Sequence, residues 1–142
     1  AKKYRKDTPF FKAEQKSPYD FVEHEFMDAI YMNGREVYKF ATKAMPEAVL
    51  KACENAKIDV GDIDVIIPHQ ANKRILETAA KNLGIDSEKI CVNIKDYGNT
   101  SSASMAICFD EAVKEGKIKK GDNVCFVGFG AGLTYGAVVF SY

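Results

Sequence analysis

The side chains in this sequence best suited to acid–base, nucleophilic or metal chemistry are two histidines and four cysteines. His24 lies in Val22-Glu23-His24-Glu25, among charges, where a histidine is ordinarily solvated. His69 is placed differently: it follows Pro68 at the end of the apolar run Ile63-Asp64-Val65-Ile66-Ile67 and precedes a helix start. Ligands in α/β sheets bind at the carboxyl ends of strands, so His69 reads either as a functional imidazole or as a buried, hydrogen-bonded one. Asn99 follows Gly98 at the entry to an apolar helix. Asparagine caps helices well. Its amide can also donate to a substrate oxygen, helped by the partial positive charge of the helix N-terminus. Spacing leaves both readings of Asn99 open.

The cysteines, Cys53, Cys91, Cys108 and Cys125, are too widely spaced for a zinc pattern, and each sits in an apolar segment. They read as buried free thiols of a reducing cytoplasm, with no metal site. The glycines of Gly128-Phe129-Gly130-Ala131-Gly132 read as a tight bend; no helix follows them, so a dinucleotide cradle fails its context test. Lys73, Arg74 and Lys81 read as a solvated helix face, of the kind that beside a strand end can also grip phosphates or an acidic protein.

Periodicity gives the elements that must position these residues. Residues 1 to about 30 mix Lys, Pro and aromatics without a sustained period and read as an irregular lead-in. Residues 35–44 read as a helix after the break at Gly34, and Pro46 is expected to open a second helix, since inside one it removes a hydrogen bond. Ala48, Val49, Ala52, Cys53 and Ala56 continue with helical spacing. After a turn at Gly61-Asp62, the run to Ile67 reads as a strand, and Ile75, Leu76, Ala79, Ala80 and Leu83 mark the inner stripe of a helix ended by Gly84. Ile90-Cys91-Val92-Asn93-Ile94 reads as a strand. The turn Tyr97–Ser104 feeds a helix to about Glu115 that is apolar all round its first half and therefore expected to be buried. The runs 123–128 and 134–140 read as an antiparallel hairpin. The order implies a layered α/β domain, a mixed sheet packed by helices.

Composition agrees. A chain of 142 residues suits one domain with a sizeable core. Lys plus Arg and Asp plus Glu both number 20, and zero net charge argues against wholesale binding to nucleic acid or anionic membrane. No apolar run approaches the ~20 residues of a membrane span. The basic start Ala1-Lys2-Lys3-Tyr4-Arg5-Lys6 is followed by no apolar stretch, so a signal peptide is not expected and a cytoplasmic location is. Ala1 in place of Met fits Met removal and also a piece cut from a longer protein.

Ile67-Pro68-His69-Gln70-Ala71-Asn72-Lys73-Arg74-Ile75 resembles the histidine signature of the β-ketoacyl-acyl carrier protein synthase III family. Gly98-Asn99-Thr100-Ser101-Ser102-Ala103-Ser104 resembles its asparagine signature. The segments Met32–Phe40 and Gly128–Gly136 match in the same order, so the resemblance runs over residues 31–142, the expected C-terminal domain of such an enzyme. It implies a thiolase-like fold of two similar halves. It also implies that a primer acyl group passes from coenzyme A to a cysteine in the N-terminal half, before malonyl-acyl carrier protein loses carbon dioxide and attacks the acyl-enzyme. None of the four cysteines has the nucleophile's context, so the N-terminal half is expected to be absent.

By the same resemblance His69 and Asn99 are the catalytic pair, two N–H donors to the enolate oxygen, and the overturned reading is Asn99 as a mere cap. Asn72 resembles a residue contacting the pantetheine arm. The Ala131 backbone resembles part of a second oxyanion hole. Lys39, Arg74 and Lys81 resemble a patch that docks the acidic carrier protein; where the family pattern can show two basic residues, this chain has Lys81-Asn82. The implied partners are acyl carrier protein, acyl-coenzyme A, the chain's own N-terminal half and, in the full-length protein, a second copy. No cofactor is implied, because coenzyme A and phosphopantetheine arrive with the substrates. Competing expectations are a non-enzymatic module binding carrier protein or a partner half, and the matching half of a chalcone-synthase-like or quinolone-forming relative.

Overall fold

The computed structural model describes residues 32–142. The lead-in over 1–30, with His24, lies outside the described residues. Helix α1 (Gly34–Ala56) opens with Asn33, whose side chain accepts the Glu36 N–H, and ends at Lys57 in the left-handed conformation. Strand β1 (Val65–Pro68) leads to helix α2 (Lys73–Leu83), capped by Asn72 and closed by left-handed Gly84. The one-turn helix α3 (Ile94–Tyr97) precedes helix α4 (Ala103–Lys114) and the strands β2 (Asn123–Gly130) and β3 (Thr134–Ser141).

The described strands form one mixed sheet in the order β1-β2-β3, with β1 parallel and β3 antiparallel to the central β2. Alternation along the strands feeds two cores. Ile66, Cys125 and Val127 meet Met45 and Val49 of α1 and Leu76 of α2 on one face. Val65, Ile67 and Val124 meet Cys108 and Ala112 of α4 on the other. The result is three layers, helix pair, sheet and helix. Among the described residues no helix is long and apolar enough to cross a membrane.

Two expectations change. The break expected at Pro46 does not occur: α1 runs through it. A mid-helix proline cannot donate to the carbonyl four residues back, and here that carbonyl, Thr42 O, instead accepts from Asn82 Nδ2 of α2 at 3.0 Å. A neighbouring helix thus supplies the donor that the chain itself lacks. The strand expected over 90–94 is also absent; only an isolated bridge, Ile66 to Ile90, forms. The buried Gln70 side chain takes the backbone groups that a ladder would use, donating to Cys91 O at 3.1 Å and accepting from Asn93 N at 3.1 Å. The expected hairpin is present, with Gly130 opposite Thr134. Helix α4 buries Ser104, Cys108 and Ala112 along one side, while Ala103 and Ala106 on another remain exposed among the described residues.

The proline account makes a coupling prediction. Asn82→Ala should cost about 1–2 kcal/mol by leaving Thr42 O without a donor. In a Pro46→Ala background, where residue 46 regains its N–H, the cost should shrink by at least ~0.5 kcal/mol in denaturant unfolding. Strictly additive costs would show that the two residues are not linked.

Candidate active site

Because β1 and β2 are parallel, their carboxyl ends open on the same edge of the sheet, and His69 extends the pairing by donating its N–H to Val127 O at 2.8 Å. The N-terminal turn of α4 reaches the same edge. Together these ends form an open cleft lined by His69, Asn99, Ser101, Ser102, Met105, the segment Gly128–Gly130 and the start of β3. His69 and Asn99, far apart in sequence, therefore share one cleft.

His69 is half-buried, its ring edge-on to Phe129 with centroids 5.5 Å apart. Its Nδ1 lies 2.9 Å from Ser104 Oγ, a side-chain hydroxyl of α4. Nε2 has no protein partner among the described residues. Burial pushes the imidazolium pKa down from 6.5, and the Ser101 backbone carbonyl opposes this more weakly.

Asn99 is carried by a loop that only glycine can enter: Gly98 has φ 69° and ψ −161°, a region closed to side chains with a Cβ. The Asn99 carbonyl oxygen accepts Ser101 N–H at 2.9 Å, folding the loop back on itself and leaving the amide N–H groups without a partner among the described residues. Asn99 does not cap α4, whose N-cap position is Ser102. The loop is bracketed by Glu111 of α4, which accepts from Tyr97 Oη and from Asn93 Nδ2.

The other residues singled out in the sequence lie apart from the cleft walls. Asn72 is exposed at the start of α2, its Oδ1 engaged in capping by Arg74 N–H at 2.9 Å. Ala131 is exposed in the hairpin bend, its carbonyl accepting Thr134 Oγ1 at 3.1 Å; Gly130, not Ala131, lines the cleft. Lys39 pairs with Glu36 at 2.9 Å on the surface of α1. Arg74 and Lys81 lie on α2, flanking Thr78, which bonds Tyr38 of α1 at 2.8 Å, so all three basic residues border the α1/α2 seam. Asn82, the non-basic residue beside Lys81, is committed to Thr42 O.

All four cysteines are free and buried. The Cys108 thiol is held above its ordinary range by a hydrogen bond with Cys91 and by burial, and burial pushes Cys125 up to about 12. Cys91, the other member of that hydrogen bond, is lowered by it, but the thiol is buried in the core beneath α4 and does not line the cleft. Sequence reasoning missed Gln70 and Ser104 as site residues, although both stand inside the two quoted motifs; a polar residue's burial is not written in its spacing.

The profile describing the C terminal of 3-oxoacyl-[acyl-carrier-protein] synthase III matches residues 53–142. A β-ketoacyl-[acyl-carrier-protein] synthase III of Clostridium perfringens is 54% identical over 110 residues, covering 78% of this chain and 34% of that protein. The crystal structure of the Thermus thermophilus enzyme of that name superposes with a TM-score of 0.80 at 47% identity, covering 82% of this chain and 36% of the other. That of 3-oxoacyl-[acyl-carrier-protein] synthase III from Aquifex aeolicus gives 0.78 at 46% identity, with coverage of 80% and 37%. The chain spans about a third of the length of the curated relatives it matches.

The depressed basicity of His69 sets a pH expectation. Its folded pKa lies below the unfolded value, so the stability that neutral His69 contributes is full above about 6.5 and is lost as pH falls through the folded pKa. Ring-proton NMR should show His69 neutral at pH 7, titrating below an unfolded histidine. A midpoint above the unfolded value would contradict the burial argument.

Proposed function

The chain belongs to the 3-oxoacyl-[acyl-carrier-protein] synthase III C-terminal family and has its thiolase-like fold, and from this premise we propose that it is the enolate-stabilising half of a carbon–carbon bond-forming acyltransferase. The full-length protein condenses a primer acyl-coenzyme A with malonyl-acyl carrier protein, releasing carbon dioxide and free coenzyme A and leaving a 3-oxoacyl-acyl carrier protein. The reaction starts a fatty-acid chain, in the cytoplasm.

One observation carries the reading: His69 and Asn99 line one open cleft, where no described residue hydrogen-bonds the His69 Nε2 or the Asn99 amide nitrogen. Loss of carbon dioxide from a malonyl thioester leaves an enolate whose charge sits on the thioester oxygen. Neutral donors stabilise that oxygen without protonating the carbanion early, and a missing donor costs ~3 kcal/mol of barrier, ~100-fold in rate. A neutral imidazole, favoured by burial, suits this role.

The nucleophile belongs to a second half, a reading supported by the burial of all four thiols here and by the exposed small residues Ala103 and Ala106 of α4, where another helix could approach closely. In the assembled protein Asn72 meets the pantetheine arm through its amide N–H, since its oxygen caps α2. Lys39, Arg74 and Lys81 receive the acidic carrier protein along the α1/α2 seam, an attraction that weakens with salt. The assembled enzyme works as a homodimer, without a cofactor.

The full-length protein should form 3-oxoacyl-acyl carrier protein from the two thioesters, and this chain alone should form none. In the full-length protein Arg74→Glu should raise the KM for malonyl-acyl carrier protein while leaving that for acyl-coenzyme A within a few-fold. Turnover by the isolated chain at an enzyme-like rate would remove the need for a second half. Equal changes in both KM values would remove Arg74 from the docking surface.

A further inference from the structure

Ser104 stands in the first turn of α4 and is 2% exposed. Its hydroxyl has two partners among the described residues: the Gln70 backbone N–H at 3.1 Å and His69 Nδ1 at 2.9 Å. The two contacts differ in kind. A backbone N–H can only donate, so Gln70 occupies a lone pair of Ser104 Oγ. The hydroxyl's own hydrogen remains, and His69 Nδ1 is the acceptor beside it. The Ser101 carbonyl, which a first-turn hydroxyl could otherwise seek, already accepts the Ser104 backbone N–H at 3.2 Å.

We infer that Ser104 is a positioning residue: it donates its hydroxyl hydrogen to His69 Nδ1 and so holds the ring as the tautomer with its proton on Nε2. The direction of this chain is set from its buried end. Gln70 has no exposed surface, and its side chain is fixed by Pro68 O at 2.9 Å, Cys91 O and Asn93 N, so its backbone N–H is aimed at Ser104 by a rigid support. Gln70 N–H orients Ser104, and Ser104 orients His69. Without the hydroxyl, Nδ1 loses the one described group that faces it, and the proton is free to sit there. Nε2 would then carry a lone pair, repelling the enolate oxygen it is meant to stabilise.

The inference rests on the proposed role of His69 as an Nε2–H donor, and two readouts separate the two claims. Ring nitrogen-15 NMR of the full-length protein should show His69 Nε2 protonated and Nδ1 unprotonated. Ser104→Ala keeps good helix propensity and should shift this pattern toward protonated Nδ1. Its kcat should fall by about 10- to 100-fold, less than the ~10²–10³-fold cost of deleting a donor outright, with the KM for malonyl-acyl carrier protein within about twofold. Ser104→Thr, which keeps the hydroxyl, should restore the wild-type nitrogen pattern. An Nε2–H tautomer that persists in Ser104→Ala would overturn the inference, even if kcat fell through loss of packing. A shifted tautomer with unchanged kcat would uphold the assignment of Ser104 and overturn the donor role of His69.

Discussion

The Gln70 side chain has no exposed surface, and a primary amide can occupy such a place only when both its N–H groups and its oxygen are engaged. It donates to Pro68 O and Cys91 O and accepts from Asn93 N, joining the end of β1 to the segment that leads into α3. Its backbone N–H reaches Ser104 and so joins the same strand end to α4. The three segments that carry His69, Asn99 and the cleft's serines are therefore tied at one buried point. An apolar residue at 70 would leave two carbonyls and an N–H without partners in the interior, where each unsatisfied group costs about 1–3 kcal/mol.

This constraint explains where the sequence could be read and where it could not. The apolar alternation of β2 and β3 and the stripe of α2 were legible because burial of one face dictates them, and the final hairpin followed. Residues 90–94 have strand composition, yet Cys91 O and Asn93 N bond the Gln70 side chain, a long-range partner that no local pattern announces. Pro46 misled for the same reason. Its local penalty is real, but the donor that offsets it comes from Asn82 on another helix. Helix continuity there is a tertiary property.

The site was legible in part. His69 and Asn99 stood out by position, at a strand end and after a glycine, but position could not choose between structural and chemical roles. Three-dimensional placement narrows the choice: Asn99 is not the cap of α4, and it keeps its amide N–H groups free of described partners. Ser104 was invisible as a site residue because nothing in a serine's type tells which atom its hydroxyl faces. The Ala131 expectation came from the resemblance alone; in the described residues Ala131 is exposed in the hairpin bend, and Gly130 lines the cleft.

On the proposed function, substitutions in a cleft where two neutral donors serve one enolate oxygen should affect one chemical step and spare the other. The direct measurement is rapid-quench separation of the two half-reactions in the full-length protein carrying His69→Ala or Asn99→Ala. Each substitution should slow decarboxylation of malonyl-acyl carrier protein by ~100-fold or more, while acyl transfer from coenzyme A to the enzyme stays within a few-fold of wild type. Unchanged decarboxylation, or equal slowing of both steps, would contradict a shared enolate site.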